Sequence, residues 1–483
     1  MNIMIIGAGF TGVQLAKRLI NEGNIVKLID NDEDIIEHIS NRLDCEVIHA
    51  DGNNLQTLEE LGIEKMDALV TLTDSDEINM ITCSLVDAVY PSVLKIARVR
   101  NYAYYVNTND TASHHAETFK GNHRPLYGID YMIHPDVEAA QAIVKAVEHG
   151  AISDIVDFGD NGEFEIAAFQ VERKSKLDGI ALKDIRSLTD KKFLVVYQET
   201  REAESDNMVS SLPSGSTILN AGDRIGIITE KETVPALLEL CGIKIDAIKK
   251  IALVGIGRIG TIVADKIIEK DKTSLLQKLF NGKKRISQTF TIIDSDKSLC
   301  LEAEKKFPQA RICNADITDD AFIEEEGIDK YNLVICATHN HEMNMVVSAY
   351  LESLGVEKTI ALVAQSQFGN IARKLGIDVA IPMRDTLIDS IISHLHGKSV
   401  TGIHTVANGE FEIVECDLPS SSKFIGKQLK DIASPGEFLI LLVKKPGSAR
   451  YELPQGNTFF SVGDHLVIIE RTGDKKVLEK FSR

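Results

Sequence analysis

Ile5-Ile6-Gly7-Ala8-Gly9-Phe10-Thr11-Gly12 stands at the start of the chain, and Leu253-Val254-Gly255-Ile256-Gly257-Arg258-Ile259-Gly260 repeats its pattern in the middle. Each stretch is a short apolar run followed by Gly-x-Gly-x-x-Gly. Such a run predicts a buried strand, and the glycines predict a tight turn into a helix. Gly7 permits the turn. Gly9, without a Cβ, lets a pyrophosphate approach the backbone. Gly12 lets helix and strand pack closely. The same roles fall on Gly255, Gly257 and Gly260.

The likeness extends outward from both stretches. Leu28-Ile29-Asp30-Asn31-Asp32 matches Ile292-Ile293-Asp294-Ser295-Asp296, and His49-Ala50-Asp51 matches Asn314-Ala315-Asp316. Thr73-Asp74-Ser75-Asp76-Glu77-Ile78-Asn79-Met80 matches Thr338-His339-Asn340-His341-Glu342-Met343-Asn344-Met345. Gly128-Ile129-Asp130 matches Gly376-Ile377-Asp378. A second unit repeats as well, with Leu212–Ile225 recurring as Leu453–Leu466. The order is A-B-A′-B′. Extra residues of the second copy are placed at Thr273–Gln288, read as a surface loop.

Short β-branched runs at Ile3–Ile6, Ile25–Ile29, Cys45–His49, Ala68–Leu72 and Leu94–Val99 alternate with helical patterns at Val13–Asn21 and Glu33–Leu43. Alternation of buried strands with helices predicts parallel βαβ units. The fold class is therefore α/β, with two Rossmann-like doubly wound parallel sheets, each followed by a small α+β module. The B units carry strand-like runs at Glu165–Val171, Leu194–Tyr197 and Arg224–Thr229. Leu177, Leu182 and Ile185, like Phe424, Leu429 and Ile432, suggest a short amphipathic helix. The expected divisions are 1–140, 141–232, 248–386 and 387–483.

On this scaffold the helix starts offer free N–H groups and partial positive charge to phosphates. Asp30, closing the second strand, can accept hydrogen bonds from both ribose hydroxyls and repels a 2′-phosphate. NAD or an adenine nucleotide is therefore expected over NADP. Asp294 repeats that place. Asp32 reads as a helix N-cap beside the site. Asp51, and Asp316 after it, reads either as a reach toward the adenine or as a turn residue. Arg98 and Arg100, flanking Val99 at the end of a buried strand, need anionic partners. These are ligand phosphates, or acids on a neighbouring subunit or helix. Leu362 and Ala364 stand in the matching places, so the second site should be poorer for a triphosphate.

Composition narrows the function. The chain has 483 residues, 53 Lys+Arg against 72 Asp+Glu, and a net charge of -19. That excludes generic nucleic-acid binding, which needs clustered cations. No apolar run approaches the roughly 20 residues of a membrane span. Met1–Gly7 reads as a first strand rather than a secretion signal. Seven scattered cysteines without a C-x-x-C fit reduced thiols in a cytoplasm. The pairs His114-His115, His339-x-His341 and His394-x-His396 lack metal-site spacing. No general acid or base pair accompanies the glycine motifs, so no enzyme activity and no metal are expected. Asn107–Arg124, with His114, His115 and His123, has no counterpart in the second copy and reads as a surface loop.

The A-B-A′-B′ plan resembles the tandem RCK (regulator of potassium conductance, or KTN) family over essentially the whole chain. Its carriers are Gly7–Gly12 with Asp30 and Asp32, the Thr73–Met80 segment, Ala97-Arg98-Val99-Arg100, and the two Pro-x-Gly-x-Thr signatures beginning at Pro213 and Pro454. The resemblance implies regulation rather than catalysis. It implies a homo-oligomeric ring, a tetramer, on the cytoplasmic face of a membrane-embedded potassium channel or transporter. Its ligands would be NAD(H) and ATP/ADP. By this likeness Gly7, Ala8, Gly9, Phe10, Thr11, Asp30, Thr73, Asp74 and Arg98 bind nucleotide in the first unit. Gly255, Ile256, Gly257, Arg258, Ile259, Asp294 and Thr338 do so in the second. Arg98 and Arg100 would meet ATP phosphates. A regulator of another cation transporter and an NAD-dependent oxidoreductase are the alternatives.

Overall fold

The computed structural model describes residues 1–105, 126–148, 156–158, 163–201, 208–242, 250–281, 289–396, 403–407, 410–434, 436–448 and 450–472. Asn107–Arg124 lies outside them. The first unit runs β1 (Asn2–Ile6), α1 (Phe10–Asn21), β2 (Ile25–Asp30), α2 (Glu33–Ser40), β3 (Glu46–His49), α3 (Leu55–Glu60), β4 (Ala68–Thr71), α4 (Asp76–Val89), β5 (Leu94–Arg98), β6 (Tyr131–Ile133) and α5 (Pro135–Glu148). Its sheet has the order β3-β2-β1-β4-β5-β6, all parallel. The order reverses between β1 and β4, which is where open sheets of this kind leave a ligand crevice. Ile3, Met4 and Ile5 are fully buried because helices cover both faces.

A small module follows: β7 (Val156–Phe158), β8 (Phe164–Gln170), β9 (Ile180–Ala181), β10 (Phe193–Arg201), β11 (Met208–Ser211), β12 (Ile218–Leu219), β13 (Arg224–Glu230) and α6 (Val234–Leu240). Its main sheet, β11-β10-β13-β8-β7, is antiparallel. The expected amphipathic helix is a 3-10 helix at Leu182–Ser187 that omits Leu177. Gly179, at φ 79°, breaks the chain direction between them.

The second unit repeats the first with β14 (Lys250–Val254), α7 (Arg258–Asn281), β15 (Thr289–Asp294), α8 (Lys297–Lys306), β16 (Arg311–Asn314), α9 (Asp320–Glu326), β17 (Leu333–Cys336), α10 (His341–Leu354), β18 (Thr359–Val363), α11 (Ser366–Lys374), β19 (Val379–Pro382) and α12 (Met383–His396). The sheet order β16-β15-β14-β17-β18-β19 is that of the first unit. The segment expected as a loop from Thr273 is helical as far as Asn281, continuing α7. Its Leu, Gln and Lys residues are good helix formers, and Gly282 follows. The last module has β20 (Ile403–Val406), β21 (Phe411–Asp417), α13 (Leu429–Ile432), β22 (Phe438–Lys444) and β23 (His465–Arg471), in the order β20-β21-β23-β22.

The two halves exchange helices. Leu387, Ile391 and Leu395 of α12 sit in one core with Ile3, Leu15 and Leu19 of the first unit. Ala140, Ile143 and Val144 of α5 sit in one core with Leu253, Val263 and Ile267 of the second. The expected divisions at 140 and 386 thus fall inside helices that follow one sheet and cover the other. The small modules also share a core, in which Phe164, Val196 and Tyr197 meet Phe411, Leu441 and Val467.

Lys95 in β5 is 1% exposed, and its Nζ donates to Asp87 Oδ1 at 2.8 Å and to the Pro91 carbonyl at 3.2 Å, with Asp130 Oδ2 at 3.4 Å. In the second half Thr359 takes this place, and the neighbouring, half-exposed Lys358 pairs with Asp378 at 2.7 Å. Lys95→Ala removes the buried cation paired with Asp87 and Asp130 and should cost about 3–5 kcal/mol. Lys358→Ala should cost no more than about 1 kcal/mol. Urea unfolding of the two variants measures the difference.

His465 lies between Glu415 Oε2 (3.0 Å) and Asp417 Oδ1 (2.6 Å). The hydrogen bond to Glu415 raises its pKa above 6.5, partial burial opposes this, and Asp417 adds to the rise. The interaction stabilises the fold fully below the unfolded value of about 6.5 and is lost as pH rises through the higher folded value. His465→Gln should therefore lower Tm at pH 5.5 and approach wild-type Tm by pH 9, measured by thermal melts across that range.

Candidate functional site

The first glycine turn is built by local necessity. Gly7 has φ 106°, and a Cβ there would lie 2.8 Å from the Leu72 carbonyl carbon and 2.9 Å from Thr73 N. A Cβ on Gly12 would lie 1.9 Å from the Gly7 oxygen. Gly9 differs, since a Cβ there would meet nothing within 4 Å. It is the N-cap of α1 and has no side-chain cap. The turn thus ends in open space with a helix N-terminus aimed at it. Gly255 (φ 93°), Gly260 and Gly257 reproduce the three situations, with 2.9, 2.0 Å and nothing within 4 Å.

Asp30 holds this turn. Its Oδ2 accepts the Ala8 N–H at 2.6 Å and its Oδ1 accepts the Asp32 N–H at 3.0 Å. Asp294 does the same for Ile256 at 2.8 Å and Asp296 at 2.8 Å. A carboxylate offers about four acceptor positions, so capacity for ribose hydroxyls remains. Asp32 caps α2 through the Ile35 N–H at 3.2 Å, as its sequence position predicts. Asp51 and Asp316 take turn roles, accepting the N–H of Asn53 at 3.2 Å and of Thr318 at 2.9 Å. The Thr318 hydrogen bonds hold the Asp316 carboxyl below its usual range.

Thr73 and Thr338 lie two residues past the ends of β4 and β17. Each is pinned by an asparagine that the sequence reading left out of the site. Asn79 Oδ1 accepts from Thr73 N (2.9 Å) and Thr73 Oγ1 (2.7 Å), while its Nδ2 donates to the carbonyls of Thr73 (3.0 Å) and Arg98 (2.9 Å). Asn344 makes the same four bonds to Thr338 and Leu362. The signal was present in the repeat, because Asn79 and Asn344 fall in matching segments.

Arg98 and Arg100 find their acid within the same chain. Both donate through Nη2 to Asp74 Oδ1, at 3.2 and 2.7 Å. That acid stands in the loop after β4. Arg98 also donates to the carbonyls of Leu72 and Thr73 at 2.7 and 2.9 Å, and its Nε is buried with no hydrogen-bond partner. Burial, then the Arg100 charge, lower its pKa. The Asp74 side chain is 96% exposed, so one solvent-facing carboxylate balances two guanidinium groups. His339, Leu362 and Ala364 replace all three in the second unit.

The exchanged helices bring residues of each half to the other's turn. Arg258 pairs with Asp136 of α5 at 3.2 Å. Tyr102, His134 and Asp136 join Gly257, Arg258 and Thr261 around a cleft of about 510 Å³. Burial lowers the pKa of His134, opposed by Asp136. At the first turn, Arg384 of α12 lies over the Phe10 ring, 4.5 Å from its centroid. Sequence periodicity carried no signal for these contacts. His394 stacks on Tyr131 at 4.1 Å, a packing role. Among the described residues, no group of three or more His, Cys, Asp or Glu could hold a metal, and no helix is long and apolar enough to cross a membrane.

The profile of the TrkA-N domain matches twice, over residues 3–117 and 251–382. The chain belongs to the TrkA-N domain family. Among TrkA-N relatives, the Trk system potassium uptake protein TrkA homolog 1 of Methanosarcina mazei is 26% identical, over 100% of both chains. The Trk system potassium uptake protein TrkA of Halomonas elongata is 24% identical over 97% of this chain and 95% of that one. The crystal structure of the GsuK RCK domain is similar with a TM-score of 0.53 at 16% identity, covering 99% of this chain and 94% of that one. The GsuK channel bound to NAD gives the same TM-score and identity over 99% and 78%. The fold of this TrkA-N chain is thus that of the tandem RCK architecture.

The two glycine classes should separate experimentally. Gly12→Ala and Gly260→Ala force a Cβ against a carbonyl oxygen and should cost more than about 3 kcal/mol, as overpacking against backbone does. Gly9→Ala and Gly257→Ala should stay within about 1 kcal/mol of wild type. Thermal or urea unfolding of the four variants checks this.

Proposed function

We propose that this chain is the regulatory subunit of a Trk-type potassium uptake channel or transporter, and that adenine nucleotide bound at its glycine turns gates ion flow. The observation that carries the reading is the duplicated turn. Open space over Gly9 and Gly257, an uncapped α1 N-terminus and a carboxylate tied to each turn form an anion-and-ribose cradle in both halves. Full-length relatives named as Trk system potassium uptake proteins support the role. The four units are placed at 1–140, 141–232, 248–386 and 387–483, with α5 and α12 straddling two of the divisions. The first site is formed by Gly7 to Gly12, Asp30, Thr73, Asp74, Arg98 and Arg100, and the second by Gly255 to Gly260, Asp294 and Thr338.

In this reading the first site takes ATP or ADP, with the Asp74-bound arginines turning to phosphate, and the second takes a ligand of lower charge such as NAD(H). The subunit works without catalysis. It acts as a homo-oligomeric ring, a tetramer, on the cytoplasmic face of an integral-membrane partner. A ligand gates only by its difference in affinity for two ring shapes. Moving the balance from 1:99 to 99:1 takes about 5.5 kcal/mol. Several sites per ring share that demand.

Calorimetric titration of the full chain with ATP, ADP, NAD and NADH tests the proposal. Saturable binding without turnover is expected, with Gly9→Ala removing the first site and Gly257→Ala the second. Arg98→Ala should weaken ATP by about tenfold or more, the loss of a charge-assisted contact, and change NAD little. Binding of none of the four, or turnover of NADH with a small substrate, overturns it.

A further inference from the structure

Arg384 and Asp136 hold the same position in the two exchanged helices, the second residue of α12 and of α5. Their surroundings differ in sign. Asp136 is buried and paired with Arg258 of the second glycine turn, so that contact is neutral. Arg384 is exposed. Among the described residues its guanidinium has no ion pair or side-chain hydrogen bond, only the Phe10 ring at 4.5 Å. The nearest acid in sequence, Asp385, is turned to Ser366, accepting its N–H at 2.9 Å. A cation in the first turn of a helix also sits at the unfavourable end of the helix dipole. Among the described residues, no acid balances Arg384 there.

Its location gives the missing charge a source. Phe10 is the first residue of α1 and directly follows Gly9, the uncapped position over open space. α12 runs alongside α1 in the same direction, since Arg384 meets Phe10 and Asp389 pairs with Arg18 further along. Two helix N-termini and one unbalanced guanidinium therefore converge on the mouth of the first cradle.

We propose that Arg384 is a phosphate-binding residue of the first site, supplied by the other half of the chain, and that it selects nucleoside polyphosphates over monophosphates. The proposal rests on the nucleotide reading above. Bound polyphosphate draws the guanidinium from the Phe10 ring onto its outer oxygens, where a planar donor fork fits best. The second site has no such group, because Asp136 and Arg258 neutralise each other.

The test uses the full chain in a Gly257→Ala background, so that titration reports the first site. ATP, ADP and AMP are titrated into that protein and into its Arg384→Ala and Arg384→Lys derivatives. Arg384→Ala should weaken ATP about tenfold and AMP less than twofold, with Arg384→Lys between. Unliganded Tm should not move. Equal loss for ATP and AMP, or a fallen Tm with it, would show a packing role and overturn the proposal. So would unchanged ATP affinity while Asp30→Ala abolishes binding. If the background protein binds none of the three, the nucleotide reading itself fails at this site and Arg384 falls with it.

Discussion

Helix exchange is the constraint on which this molecule depends. A parallel sheet needs both faces covered. Here each large sheet receives one cover from the opposite half, α12 on the first and α5 on the second. Leu387, Ile388, Ile391, Ile392 and Leu395 are all nearly or fully buried by that contact. Each such side chain is worth about 1.5–3 kcal/mol relative to exposure. Their sum rivals the 5–15 kcal/mol of total stability usual for a domain. The halves are therefore one cooperative body, and the shared core of the small modules closes it a second time.

The same exchange adds to an inequality between the duplicated sites. The turns themselves are near copies, down to the hydrogen bonds from Asp30 and Asp294 and from Asn79 and Asn344. Difference enters at the rim. Asp74, Arg98 and Arg100 give the first site an ion cluster with an exposed carboxylate, and Phe10 with Arg384 adds an aromatic face under a cation. The second has a closed ion pair and a cleft beside it. Duplication kept the cradle and varied the charges around it.

Much of this was legible in the residues. Strand positions, the A-B-A′-B′ order and the strict need for Gly7 and Gly12 follow from local sterics and apolar spacing, which act over a few residues. The N-cap role of Asp32 was equally local. What escaped was long-range. The apolar stripe of α12 shows that the helix is covered but not by what. Tyr131–Ile133 is too short to announce a strand, and it pairs with β5 only because the sheet is already there. Arg98 called for an anion in the sequence, yet two carbonyls satisfy most of its need. The helical continuation to Asn281 was hidden by the expectation that inserted residues form loops.

Exchange also sets a timetable for synthesis. The first sheet is complete when β6 leaves the ribosome, but its covering helix α12 is made roughly 250 residues later. At about 5–20 residues per second, that face waits about 10–50 s with its apolar residues uncovered. Contacts this distant in sequence also form slowly once the chain is free. A nascent chain of this design carries that apolar face uncovered through about half of its elongation, and a ribosome stalled in the second half would release a sticky fragment rather than a smaller working protein.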